Sequence, residues 1–197
     1  MDSASLQFEF KELLEKPIDF YYMHLLNEEV AGYLSFDEKK EIIESIKNCV
    51  SNIYNSLSPL WKSDPSLFLK QFGYTLHNVE RIPFIDAFGL CDPNEQVILL
   101  NKPAIDALQV ILTAYSSLFG NASMYHIALA HEIFHILEEQ NTNLFTREFT
   151  YLKPGFFRKR RTPIHVVSEI GAFHFSMLAA SIDFCPYILA TVFDLSK

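Results

Sequence analysis

A chain of 197 residues, with 49% hydrophobic side chains and eighteen Phe, has enough apolar surface for one well-buried core, with or without an added subdomain. Its formal net charge of −8 argues against general nucleic-acid affinity, which rests on neutralising phosphates with Lys and Arg. Cys49, Cys91 and Cys185 are widely spaced without metal-ligand spacing, and Met1-Asp2-Ser3-Ala4 does not begin a signal peptide, so a reducing cytoplasm is the expected compartment.

Residues 1–62 are expected to form a helical region packed on a second part, 63–197, within one globular unit. Ser35-Phe36-Asp37-Glu38 has the spacing of a capping box. After it, Ile42, Ile43, Ile46, Val50, Ile53, Tyr54 and Leu57 recur at helical spacing until Ser58-Pro59. That amphipathic face is expected to lie on the core rather than on a partner. Asp64-Pro65 starts a short helix that Gly73 stops. Strands are predicted over Tyr74–Val79, Ile82–Leu90 and Gln96–Asn101, with Asp92-Pro93-Asn94 as a turn. The expected class is α+β: mostly helical, with a small, mainly antiparallel sheet of about three strands.

From Ala122 to Glu139 no Gly or Pro interrupts, and Met124, Ile127, Ala128, Ile133, Phe134 and Leu137 predict a buried helix. Asn121 and Ser123 are its candidate N-caps, and Asn141–Asn143 its exit. His131, Glu132 and His135 are polar exceptions, and buried polar groups need partners. On a helix, side chains at i and i+4 stand on one face. Two imidazoles so placed can grip one Zn²⁺, and a carboxylate beside the first can activate a water on that metal. Seven His and fifteen Glu give roughly 0.02 chance occurrences of His-Glu-x-x-His in this length. The plainer alternative is a buried helix whose histidines are satisfied by hydrogen bonds.

Catalytic zinc usually takes three protein ligands and a water, so one more is needed. The downstream candidates are Glu138, Glu139, Glu148, His165, Glu169 and His174. Glu138 and Glu139 follow His135 too closely on the same helix to close a tetrahedron. Glu169 begins a helix predicted over Ile164–Ile182, where an inward carboxylate is costly unless paired or metal-bound. Its alternative reading is a first-turn acid on the helix dipole. Tyr151, His165 and His174 are candidate transition-state or supporting groups. The apolar stretch Ile170–Phe193 is read as two buried helices broken at Asp183-Phe184-Cys185-Pro186 rather than a membrane span. Arg158-Lys159-Arg160-Arg161 is read as a solvated loop; a functional version would grip an acidic region of a partner or substrate.

The string from Ala130 to Leu137, followed by Glu169-Ile170-Gly171-Ala172-Phe173-His174-Phe175-Ser176, resembles the ImmA/IrrE-type metallopeptidases. Those gluzincin-like proteins carry His-Glu-x-x-His on one helix and Glu-x-x-Ala-x-x-Phe-(Ala/Ser) on the next. The resemblance covers about Asp64 to Leu178. It implies a compact zincin-like core and one zinc per chain on His131, His135 and Glu169. It further implies peptide-bond hydrolysis with Glu132 as general base, acting on a protein or peptide substrate such as a helix-turn-helix repressor. In zinc peptidases of this class a sheet edge beside the site pairs with extended substrate; the strand Gln96–Asn101, with Ile98 and Leu99, is the expected edge. Three departures stand out. Phe134 replaces the family's usual Gly, the loop from Gln140 to Pro163 is long, and no helix-turn-helix domain is evident. The rival reading is a non-catalytic or latent regulatory protein-binding module that keeps the zinc site. A Phe such as Phe134 or Phe156 lying over the metal would favour it.

Overall fold

The computed structural model describes residues 2–57, 65–83, 85–140, 149–153 and 160–196. The expected helix exit at 141–143, Glu148, Phe156 and Arg158-Lys159 lie outside the described residues. Helix α1 (Ser3–Glu15) begins where the Asp2 side chain accepts from the Ser5 N–H at 2.9 Å. Helix α2 (Ile18–Val30) follows Pro17. Helix α3 (Phe36–Ser56) starts on the complete capping box: Ser35 N–H donates to Glu38 Oε2 at 2.7 Å, and Glu38 N–H to Ser35 Oγ at 3.3 Å. It buries Ile42, Ile43, Ile46 and Val50, one face at helical spacing.

Helix α4 (Pro65–Gln71) ends at Gly73, whose φ of 75° turns the chain into strand β1 (Thr75–Val79). Strands β2 (Gly89–Asp92) and β3 (Val97–Asn101) form a hairpin, and Asp92 Oδ1 accepts from the N–H groups of Asn94 and Glu95 to shape its turn. The spatial order is β1-β3-β2, with β2 antiparallel and β1 parallel to β3, so the sheet is mixed. Among the described residues of the stretch predicted as a strand over Ile82–Leu90, only the last two are extended in the sheet; Pro83 cannot donate to a ladder.

One expectation is overturned here. The strand holding Ile98 and Leu99 is central, paired on both sides, and Ile98 is fully buried. It therefore offers no free edge to a substrate. Its near-continuous apolar run Val97-Ile98-Leu99-Leu100 suits the middle of a sheet, where both faces are covered. The sheet edge beside the site is β2.

Asn101 caps helix α5 (Lys102–Ala114), and a short helix α6 (Ser116–Phe119) follows. Helix α7 (Met124–Gln140) starts at Ser123, whose Oγ accepts from the His126 N–H at 3.3 Å. Within the long loop, where no strand was expected, β4 (Thr150–Lys153) and β5 (Arg160–Pro163) pair antiparallel. Helix α8 (Val166–Ala180) ends at Ser181 in the left-handed region, and helix α9 (Ile188–Leu195) follows the break around Asp183–Pro186. Among the described residues no helix is long and apolar enough to cross a membrane.

Helices α7 and α8 pack against each other, α2 and α3 cover the outer side of α8, and the sheet lies on α7 through β2 and β3. One hydrophobic cluster runs from Phe10, Leu26 and Ile46 to Phe134, Phe175 and Val192. Phe134 is fully buried, its ring 5.7 Å from Phe175 across the α7–α8 interface. The larger side chain at this position is thus absorbed by the core.

Candidate metal centre

His131 and His135 stand one turn apart on α7, with ring centroids 5.1 Å apart. The first turn of α8 brings Glu169 to them: its carboxylate oxygens lie 3.2 Å from His131 Nε2 and 3.7 Å from His135 Nε2. Ligand-capable atoms of all three lie within 4.8 Å of one another. Two imidazole nitrogens and a carboxylate oxygen are the donor chemistry of a catalytic zinc site.

The supporting residues fit the same use. Glu138, only 3% exposed, sits 3.2 Å from His135 Nδ1 and also accepts from Ser168 Oγ. A partner on Nδ1 sets the tautomer and leaves Nε2 available on the cleft side. Phe173 packs edge-on against the His131 ring at 4.9 Å. Burial pulls the His135 pKa down, but the hydrogen bond to Glu138 and the charges of Glu169, Glu132 and Glu138 outweigh it, and the net shift is upward. Glu169 shows the converse: burial would raise its pKa, yet the hydrogen bond from His131 and the charges of both histidines hold it down to about 2.

Glu132 is buried, and its carboxyl lies against strand β2. Burial raises its pKa, opposed by both histidine charges and by the Cys91 N–H, which donates to it; the Glu169 charge adds to the rise. Gly89 makes room for this arrangement. A Cβ at that position would lie 2.5 Å from Glu132 Oε1 and 2.8 Å from its Cγ, closer than real contacts allow. Gly89 was missed as a site residue, although a glycine inside a strand pattern signals close approach of something to the backbone. Glu138 as a histidine partner was legible in its i+3 spacing from His135. Ser168 left no signal in the sequence.

These groups line a cleft of about 900 Å³ between α7, β2, the start of α8 and the start of α9. The other predicted site residues divide. His165 lines the cleft and is exposed. Tyr151 does not line it: it is buried under the β4–β5 hairpin, its ring 4.9 Å from Tyr33. His174 is likewise no cleft group. Five residues past Glu169 it is rotated by about 140° around the helix. It faces Tyr22 Oη and Ser51 Oγ, each at 3.5 Å. Burial and the Lys47 charge bring its pKa down to about 4, against the opposing charges of Asp19 and Glu44.

Comparison with protein-family models, with curated proteins and with solved structures finds no match to this chain.

Proposed function

We propose that the chain is a zinc-dependent metallopeptidase that hydrolyses peptide bonds. The observation that carries this reading is the convergence of His131, His135 and Glu169 beside the buried carboxyl of Glu132. These three residues would hold one zinc ion, which when bound supplies Lewis acidity that polarises a carbonyl and lowers the pKa of a water to about 7. Glu132 removes a proton from the attacking water and passes it to the leaving amine. Its raised pKa strengthens it as a proton acceptor. Glu138 and Ser168 hold His135 in orientation. His165, alone among the three candidates in lining the cleft, is assigned to stabilise the oxyanion.

The outer edge of β2 runs along the cleft; the Cys91 N–H is held by Glu132, and the other outward groups are where an extended substrate would add as a further strand. Phe134 lies in the core and the cleft holds about 900 Å³, which supports a catalytic role over a latent module. The resemblance to ImmA/IrrE-type enzymes supports a helix-turn-helix repressor as the substrate and the cytoplasm as the place of action.

The test is Glu132→Gln. It retains stoichiometric zinc and loses hydrolysis by about 10²–10⁴-fold, the usual contribution of a general base. Purified wild-type protein that takes up no zinc would sink the reading. The same variant, used as a trap, should capture a single helix-turn-helix protein if the substrate is a repressor.

A further inference from the structure

The β4–β5 hairpin stands at the lip of the cleft. Phe149, just before β4, and Pro163 and Ile164, at the end of β5, line the cleft, and Ile164 N–H donates to the Phe149 carbonyl at 2.9 Å. Pairing puts Thr150 opposite Pro163, Leu152 opposite Arg161, and Lys153 opposite Arg160. Directly opposed residues of an antiparallel pair share a face, and faces alternate along each strand. Tyr151, with Thr162, Lys153 and Arg160, is on the face turned to the protein body, where Tyr151 stacks on Tyr33. Thr150, Pro163, Leu152 and Arg161 make up the other face, and of these Pro163 lines the cleft.

The outer end of the hairpin, counting both faces, is built against stability. Leu152 is 54% exposed, and Arg161, Lys153 and Arg160 are all exposed. Among the described residues no acidic side chain pairs with any of these cations, although the chain carries an excess of acids. Lys153 and Arg160 stand directly opposite each other, a like-charge pairing that destabilises a two-stranded hairpin already marginal by length. Local choices that oppose the fold mark places where something else is recognised.

We propose that this hairpin is a substrate-binding extension of the cleft that selects an extended protein segment carrying acidic residues next to an apolar one. Resting on the peptidase reading, it names the substrate class for that site. Leu152 takes the apolar side chain and Arg161 the carboxylate, with Lys153 and Arg160 adding positive potential at the outer end. Arg161 lies two residues outward from Pro163, about 7 Å along the strand, so the acid belongs about two residues beyond the substrate residue seated at the lip. An acidic protein segment suits the site better than nucleic acid, because the net charge of −8 repels a continuous phosphate backbone while the local cations Lys153, Arg160 and Arg161 attract a short acidic run.

The experiment measures binding and cleavage separately. Zinc-loaded protein is titrated with two labelled, unstructured Leu/Ala-rich peptides that differ only in carrying an aspartate run or a lysine run in one half. Wild type binds the aspartate peptide about tenfold more tightly, the combined effect of a few screened surface pairs, and the contrast shrinks as salt rises from about 0.05 M to about 0.5 M. The variant K153E/R160E/R161E inverts the preference while keeping its zinc and its circular dichroism; R161E alone abolishes most of it. Equal binding of both peptides by wild type, or an unchanged preference in the triple variant, overturns the proposal. So does displacement of the aspartate peptide by a single-stranded oligonucleotide of higher affinity, which would make these cations a nucleic-acid surface. A binding contrast in a wild-type protein that takes up no zinc would instead refute the peptidase reading and leave the acidic-segment surface standing.

Discussion

Helix α8 supplies a member to each of two polar clusters on opposite sides of itself, and comparing them shows what separates a candidate metal centre from a structural polar contact. On one side Glu169 meets His131 and His135 beside an open cleft. On the other, His174 meets Tyr22 and Ser51 beneath the N-terminal helices, sealed from solvent. Both place a histidine among oxygen-bearing partners. In the first, carboxylates surround imidazoles, so the His135 pKa is raised and the Glu169 pKa falls to about 2. In the second, burial first and the nearby Lys47 charge second bring the ring's pKa down to about 4, and its direct partners are neutral hydroxyls. Convergent charge with access makes a ligand set; neutral partners under cover make a tie between helices.

The contrast can be broken most forcefully at its densest contact. Gly89→Ala would force the Glu132 carboxyl away from β2; under the proposed peptidase function, a displacement near 1 Å would lower hydrolysis by about 10²-fold while zinc uptake, read by atomic absorption, stays stoichiometric. Replacing Glu138 by Gln weakens the hold on His135 Nδ1 and lowers zinc affinity by about 10–100-fold in a competition titration with a chelator. The counterpart on the sealed side, His174→Ala, leaves zinc affinity unchanged and lowers unfolding free energy by about 1–3 kcal/mol in denaturant titration, from a lost buried contact and the space it leaves.

A finer test uses pH. The unfolded chain binds a proton on His174 near pH 6.5, whereas the folded chain binds it only near pH 4. Between those values the unfolded state holds the extra proton, so stability falls as the pH is lowered through that window and is fully present above it. The loss approaches about 3 kcal/mol at pH 4. The slope should be shallower in His174→Gln, followed by thermal unfolding of both proteins across that range; parallel curves would remove His174 from the buried tie.

Much of this was legible because it is local. The capping box at Ser35, the stop at Gly73, the break after Ile182 and the His-Glu-x-x-His spacing each depend on residues within a turn or two of one another. Glu169 could be selected by chemistry, since a carboxylate on an otherwise apolar helix stands out as a ligand, although its side chain proves 49% exposed at the cleft mouth rather than inward. His174 could not be placed by the same reasoning, because a pattern so apolar all round does not say which neighbour covers which side of α8. Nor could the edge of the sheet be read from strand propensity. Val97–Asn101 has the composition of a strand, but only the insertion of β3 between β1 and β2 removes its free edge and gives that role to Gly89–Asp92. Periodicity along one chain carries the existence of elements and the identity of a motif. Which elements become neighbours depends on packing among residues far apart in sequence. Packing of this kind set Gly89 under Glu132, put Ser168 beside Glu138, and drew the hairpin to the cleft lip.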